Sequence, residues 1–425
     1  MLTLTTKDAA RNEAASPCAF PAIAATGLRT GPELLLDGRI WVEQLTVEEV
    51  ANLYAEGWDD LARHAASPNV FYERWNMLAA LRSLRDVEQP LLLVVRREGK
   101  KSNVEPALCG LFPMVPARRA RLKTWRLWGH DYTFLQTPLV RAGHERDVIA
   151  AWLDYVATAP DAARLIDLPL IEGDGPVAQA ISDVVNSRRG VTCELGRYSR
   201  ACLPRLPDWE DYVSQILSSH HRRELRRQHR RLSEAGDLQL RQLESADELR
   251  DWIDGFLRLE ASGWKGESET AFAANSDTAA YFHAITNAAF DRGQLRMLGL
   301  FLDGNPVALK VNLLAGSGAF AFKIAYDEQY AKMSPGMQLE LETIRLMHEQ
   351  DETAWMDSCA TSTHFMINRL WSGRKSIQHL LISNSSRLGN LCLGMIPLAR
   401  AVKRTLKSFH RPAQSTDSSP AATTV

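Results

Sequence analysis

Residues 295–302 (LRMLGLFL), 307–314 (VALKVNLL) and 319–326 (AFAFKIAY) decide how this 425-residue sequence folds. They are joined by Asp303-Gly304-Asn305-Pro306 and by Gly316-Ser317-Gly318. Asx, Gly and Pro turns at these spacings predict a meander of three antiparallel strands. After Asp327 the apolar period changes. Met337, Leu339, Leu341, Ile344, Leu346 and Met347 recur at helical spacing, and Pro335 suits a first helical turn. A strand is therefore expected to hand directly to a helix opened by Ser334-Pro335-Gly336. At such a start, unpaired backbone N–H groups and the positive end of the helix dipole favour an anion such as phosphate, and Gly336 lets a ligand approach the backbone closely. An ordinary helix start, with Ser334 as N-cap and Pro335 at N1, accounts for the same residues.

The pattern extends outward on both sides. Upstream, residues 238–243 read as a strand, 246–260 as a helix and 277–292 as a second helix. Downstream come a short strand at 354–356, a helix at 363–371 and a strand at 376–382. The first half has the same grammar: a strand at 38–45, helices at 47–64 and 71–84, and strands at 91–97, 107–115 and 123–128. A helix at 145–157, a strand at 164–168, a helix at 177–187 and a strand at 191–203 follow. Strand, two helices, three strands, then alternating helix and strand occurs twice.

That order resembles the Gcn5-related N-acetyltransferase (GNAT) fold. More narrowly, Trp264-Lys265, Gly304-Asn305-Pro306-Val307-Ala308, Ala325-Tyr326-Asp327-Glu328 and Ser334-Pro335-Gly336 are similar to the CelD/BcsL-type acetyltransferases of cellulose and exopolysaccharide production, which are related to the peptidoglycan-bridge aminoacyl transferases. The resemblance covers residues 205–385 well and 38–204 loosely. It implies an α/β (α+β) chain of tandem GNAT-like folds, with mixed central sheets flanked by helices. The expected divisions are a disordered segment 1–37, a degenerate first copy 38–204, an acyltransferase domain 205–385, and a basic amphipathic helix with a disordered tail 386–425. The resemblance further implies that the first copy helps form the acceptor groove, and that acetyl-coenzyme A or another acyl-coenzyme A is the donor, held around Tyr326 and Lys332-Met333-Ser334-Pro335-Gly336-Met337. This turn is a reduced form of the family's glycine-rich phosphate loop. The helix holding His364 lacks the tyrosine that often serves as general acid in the family.

Direct acyl transfer needs backbone donors for the developing oxyanion and a base for the attacking amine or hydroxyl. Asp327, ending the last meander strand, Glu260, near the end of a helix, and Asp357, after a short strand, are the candidate bases, and His364 is the remaining titratable group for the leaving thiolate. Each aspartate is equally at home capping a turn. Lys310 and Lys323 interrupt apolar strands, where burial is costly unless each meets an anion, and they are assigned to a donor or acceptor carboxylate or phosphate. Trp264 either stacks on a sugar or closes the core, and Lys265 adjoins it. Between the halves runs HHRRELRRQHRR (220–231), six arginines against one glutamate. Arg222 and Arg226 there are candidates for holding an anionic acceptor such as a nucleotide-sugar or lipid-phosphate-linked glycan, although a solvated helix face reads the same way.

Bulk properties narrow the class. A net charge of −1 argues against global capture of nucleic acid, which is expected only if the donor is an aminoacyl-tRNA. Six cysteines without CxxC spacing or clustering with histidine argue against zinc or any other metal and against a disulfide framework. Without a signal-like start or an 18-residue apolar run, the chain is expected to be cytoplasmic. Leu388, Leu391, Met395, Leu398, Val402 and Leu406, interspersed with Arg387, Arg400, Lys403, Arg404 and Lys407, read either as a helix packed on its own domain or as one lying on an anionic membrane. Two readings compete with acyl-coenzyme A transfer: aminoacyl transfer from tRNA, and a non-catalytic scaffold of a polysaccharide assembly complex docked through the arginine-rich helix.

Overall fold

A computed structural model describes residues 38–99, 106–119, 121–159, 163–263, 271–349, 353–383 and 387–396. The first half comprises β1 (Ile40–Thr46), α1 (Val47–Leu53), α2 (Ala55–Arg63), α3 (Arg74–Ser83), β2 (Leu91–Arg97), β3 (Ala107–Arg119), β4 (Leu122–Leu127), the two-residue β5 (Leu139–Val140), α4 (Glu145–Thr158), β6 (Leu165–Glu172), α5 (Pro176–Ser187) and β7 (Thr192–Pro204). Two helices, α6 (Trp209–Ile216) and α7 (Ser219–Glu234), lead into the second half. It comprises β8 (Leu238–Gln242), α8 (Ala246–Ser262), α9 (Ser276–Asp291), β9 (Leu295–Leu302), β10 (Asn305–Ala315), β11 (Gly318–Tyr326), α10 (Pro335–Glu349), β12 (Trp355–Asp357), α11 (Phe365–Leu370) and β13 (Gly373–Ser383). Residues 387–396 form a last helix, α12.

The strands form one sheet in the order β1-β2-β3-β4-β6-β13-β7-β12-β11-β10-β9-β8, with β5 paired to β3. The two copies are therefore not separate sheets placed side by side. Each ends by exchanging its last strand: β13 of the second half lies between β6 and β7, and β7 of the first half lies between β13 and β12. The exchange rests on a long antiparallel register, Gly373 opposite Cys202 through Ile382 opposite Thr192.

Local chemistry explains most element boundaries. The expected helix at 47–64 breaks at Tyr54, whose φ of −133° is not helical, into a capping-box helix opened by Thr46 and Glu49 and a second helix that buries Trp58 and Leu61. Helix α8 starts at Ser245, whose side chain accepts the Asp247 N–H. It buries Leu249, Trp252, Ile253, Phe256 and, one turn later, Glu260. Strand β11 does not pass straight into α10, as the sequence suggested. The Asp327 side chain accepts the Gln329 N–H at 2.9 Å and opens a 3-10 turn, Glu328–Met333, because Pro335 has no N–H to continue an α-helical ladder through this point.

One apolar core lies between the halves. Phe71 of the first half packs edge-on against Phe320 of β11 at 5.5 Å and against Phe134 at 5.6 Å. Burying such a ring contributes roughly 1.5–3 kcal/mol. A second core lies under α4 and α5 and takes in Leu380 and Ile382 of the exchanged β13, and a third packs α6 and α10 against β11 and β12.

Candidate active site

The parallel pairing of β11 with β12 is confined to Gly318–Phe320 opposite Trp355–Asp357, while β11 remains paired with β10 to Tyr326. Past Phe320 this pairing ends, because β12 stops at Asp357. A bulge marks the same point: Val311 faces Lys323 and Asn312 faces Ala321, so Phe322 is the extra residue. Bulges re-aim side chains. Here Phe322 and Lys323 both turn to the face occupied by Phe272, at 6.0 Å ring to ring and 5.0 Å from the Lys323 Nζ.

Two cavities share lining residues near the end of β11. On one face a groove of about 440 Å³ is lined by Ile324, Tyr326, Ser334, Gly336, Met337 and Phe365. On the other, a small cavity of about 30 Å³ is lined by Leu259, Glu260, Gly263, Ile324, Tyr326 and Glu328. Ile324 and Tyr326 belong to both.

The larger groove contains the turn singled out in the sequence. Ser334 takes the left-handed conformation, φ 51°, which a non-glycine residue seldom adopts. In this geometry its carbonyl accepts both the Met337 N–H (3.0 Å) and the Gln338 N–H (3.1 Å). Pro335 offers no N–H. Among the described residues the Gly336 amide makes no hydrogen bond, so it is the free donor of the first turn. A Cβ on Gly336 would stand 3.2 Å from the Tyr326 ring, so glycine lets that ring close over the turn. No acidic side chain stands in the first turn of α10. The residues present thus suit an anion, through one amide and a helix dipole rather than the several amides of a full phosphate loop. Lys332 is exposed beside the turn, and Phe365, 74 % exposed, stands as an apolar wall of the groove. His364, also at this groove, caps α11 by accepting the Ile367 N–H.

Across β11, Glu260 is almost wholly buried, with Oε2 accepting the Phe272 N–H at 2.9 Å. The Lys323 ammonium lies among Tyr132, Phe134 and Phe272, 5.0–6.0 Å from their centroids, a cation–π cage to which both halves contribute. Burial raises the Tyr132 phenol, and the Glu260 charge adds to it. Half-buried His130, beside Trp128 and Tyr281, has its pKa pushed down to about 4 by desolvation.

The other sequence candidates have structural partners. Asp357 is fully buried and accepts from the Arg200 guanidinium at 2.6 Å, with the Lys375 Nζ 3.5 Å away and Glu172 3.5 Å beyond that lysine. Burial raises its carboxyl, but Arg200 and Lys375 outweigh that and hold it below the ordinary carboxylate range. Glu172, Lys375, Arg200 and Asp357 stand on β6, β13, β7 and β12, the four consecutive strands of the exchange, and form a charged ladder across it. Lys310 is buried against Glu340 at 2.5 Å, and Glu340 also accepts from the Trp371 indole at 2.8 Å. Burial draws the lysine below its ordinary value even with that carboxylate beside it. The anion that Lys310 required is supplied by the protein itself. Asp327 caps the 3-10 turn, and Arg222 and Arg226 lie on α7, at another cavity. Trp264 and Lys265 lie outside the described residues.

Sequence reasoning missed the aromatic cage and the ladder. Arg200 and Lys375 carried no signal of the kind Lys310 does, because Arg200 follows Arg197-Tyr198-Ser199 and Lys375 stands between Arg374 and Ser376 in mixed, polar strands. Nothing local marks Tyr132 and Phe134, which lie in a loop and are recruited by the packing of the halves.

Among the described residues no helix is long and apolar enough to cross a membrane, and no group of three or more His, Cys, Asp or Glu is placed to hold a metal ion. Residues 219–365 match the acetyltransferase (GNAT) domain family. No curated protein matches the sequence. Among solved structures, FemX is 9% identical, with 80% of this chain and 96% of that chain covered, at a TM-score of 0.52. A conserved protein of unknown function from Bacteroides thetaiotaomicron VPI-5482 is 10% identical, with 81% and 100% covered, at 0.50. At such identity the likeness is one of fold. Strand order repeated in both halves, a bulged β11, and the family match together show that this chain carries a GNAT-type acyltransferase domain, set in a tandem of two GNAT-like folds.

Proposed function

We propose that the chain moves an acyl group from acyl-coenzyme A directly to an amine or hydroxyl of a sugar or polysaccharide precursor, on the cytoplasmic side. The observation that carries this reading is the groove at the Gly336 turn, with the buried Glu260 carboxylate behind the same stretch of β11, where Ile324 and Tyr326 line both sides. A bound acyl-coenzyme A supplies a thioester carbonyl open to attack and a thiolate leaving group. The Gly336 amide and the α10 dipole hold the donor's phosphate, and Phe365 and Met337 cover its apolar arm. Glu260 takes the proton of the attacking nitrogen or oxygen as the new bond forms. The carbon–sulfur bond breaks, and the thiolate leaves toward the groove where His364 stands. Lys323, fixed in its cage beside this stretch, orients the acceptor. The CelD/BcsL-like motifs support a glycan-related acceptor.

One observation favours a second donor. With the Met337 and Gln338 amides bound to Ser334, a single free amide faces the groove, which is sparse for a diphosphate and suits an aminoacyl ester carried by tRNA. Calorimetric titration decides between them. Acetyl-coenzyme A or a longer acyl homologue is expected to give a single-site isotherm, with thiol release stimulated by an amino-sugar or sugar acceptor. No heat from any acyl-coenzyme A, together with binding of aminoacyl-tRNA, would reverse the assignment.

A further inference from the structure

A further cavity, of about 760 Å³, is distinct from the two lined by the end of β11. It lies on the other side of α10: Gly336 and Met337 face the donor groove, whereas Gln338 and Leu341 face this one. Its floor is the edge of the sheet, Leu238 and Leu240 of β8 and Leu300 of β9, and α6 contributes Trp209 and Val213 to its wall. The volume falls within the roughly 300–1,000 Å³ of small-molecule sites. At its rim α7 places Arg222 and Arg226, one helical turn apart on the same face. Among the described residues neither guanidinium makes an ion pair or a hydrogen bond, whereas Arg227 pairs with Glu224 and Arg345, also at the rim, pairs with Glu342 and Glu349. His229 meets Gln338 at 2.8 Å, and Gln338 donates to the Met333 carbonyl at 2.6 Å, so a polar bridge divides this cavity from the donor turn.

An apolar trough beneath two unpartnered guanidiniums is complementary to a hydrocarbon chain that ends in a phosphate. We infer that this cavity is a second ligand site, which takes a single-chain lipid phosphate with its chain over Leu238, Leu240 and Leu300 and its phosphate on Arg222 and Arg226. Two guanidiniums at this spacing can share the oxygens of one phosphate, and the apolar floor excludes a hydrophilic anion from the rest of the trough. The inference rests on this cavity alone, not on the identity of the donor.

Calorimetry on the full chain tests it, using decyl phosphate below its micelle-forming concentration, decyl maltoside as a neutral amphiphile with the same chain, and inorganic phosphate. Decyl phosphate is expected to bind one site at least tenfold more tightly than decyl maltoside, with inorganic phosphate giving no saturable heat. Arg222→Gln with Arg226→Gln should bring the two amphiphiles within about threefold of each other. Leu240→Glu, at a position 36 % exposed and so tolerant of a polar side chain, should weaken decyl phosphate at least tenfold. Equal affinity for both amphiphiles, an unchanged preference in the arginine double variant, or full binding by Leu240→Glu would each overturn the site. Acetyl-coenzyme A titrated into the same preparation reports the donor groove separately, so failure of one reading leaves the other standing.

Discussion

In the first half, β4 pairs with β6 over Thr124–Arg126, and the helix that follows, α4, opens with Glu145 and Asp147; in the second half β11 pairs with β12 over the equally short Gly318–Phe320, but α10 opens with Pro335, Gly336 and Met337. The two helices occupy the same place in the strand order. Under α4, Trp152 stacks on Phe112 at 4.4 Å, and a Cβ on Gly110 would stand 2.5 Å from Val148, so side chains fill the space. The Gly143 amide before α4 is taken by the Glu145 carboxylate at 3.0 Å, and Asp147 holds Arg97 at 2.8 Å. The same topology thus gives a packed module in one half and an open one in the other. A local difference separates them: whether the following helix start is already neutralised by its own acids.

The strongest test of this contrast is Glu260→Gln. If the open half alone carries the chemistry, turnover should fall about 10²–10⁴-fold, as expected when a general base is lost. Acetyl-coenzyme A affinity and the melting temperature should barely move. A loss of under fivefold in thiol-release kinetics would move the base elsewhere. Asp357→Asn should do the converse. It leaves Arg200 buried without its carboxylate, and removing one partner of a buried pair costs about 3–5 kcal/mol. Because the ladder crosses strands from both halves, urea denaturation should show a single transition moved to lower denaturant. Two separated transitions would mean that the halves unfold independently despite the strand exchange.

The meander turns, the order of elements along the chain and the repeat of that order were legible because they follow from period-2 and period-3.6 patterns and from Gly, Pro and Asx punctuation within short windows. The strand exchange was not, because β7 and β13 read as ordinary strands and nothing within either sequence names its neighbour. For the same reason the single sheet was not legible. Lys310 shows the limit at the level of one residue. Its position in an apolar strand demanded an anion, but only the folded chain shows that Glu340, on the next helix, meets it. Glu260 was read as a candidate from its place at the end of α8, and the cavity beside it depends on how that helix end meets β11, a contact between segments distant in sequence.

The junction between the halves offers a pH test. Glu73, which opens α3, is buried, accepts from the Trp75 indole at 2.8 Å and the Gln294 amide at 2.9 Å, and has its pKa raised to about 7 by burial. Between about 4.5 and 7 the folded chain therefore holds a proton at Glu73 that the unfolded chain has released, so this group's contribution to stability falls as pH rises and is lost above pH 7. His130 runs the other way: its folded pKa of about 4 lies below its ordinary value, and its contribution is lost as pH falls from 6.5 toward 4. Glu73→Gln should remove the first slope and leave the second, making the variant more stable than the parent by about 1–3 kcal/mol at pH 8 relative to its standing at pH 4.5. Parallel stability curves for the two proteins from pH 4.5 to 8 would show that Glu73 stays ionised in the folded chain.

The smallest expected effect is the one that addresses the helix starts themselves. Gly336→Glu gives α10 the kind of acidic first turn that α4 has, and its Cβ must push the Tyr326 ring from a 3.2 Å contact. If an anion sits on this turn, the new carboxylate opposes it and fills the free amide's surroundings. The KM for acetyl-coenzyme A should then rise about tenfold, or roughly 1.4 kcal/mol, with a smaller change in kcat, since a binding contact is lost rather than one made only in the transition state. Glu145→Gln removes the corresponding acid from the packed half and should leave that KM within about twofold. A response to Glu145→Gln as large as that to Gly336→Glu would mean that both halves contact the donor.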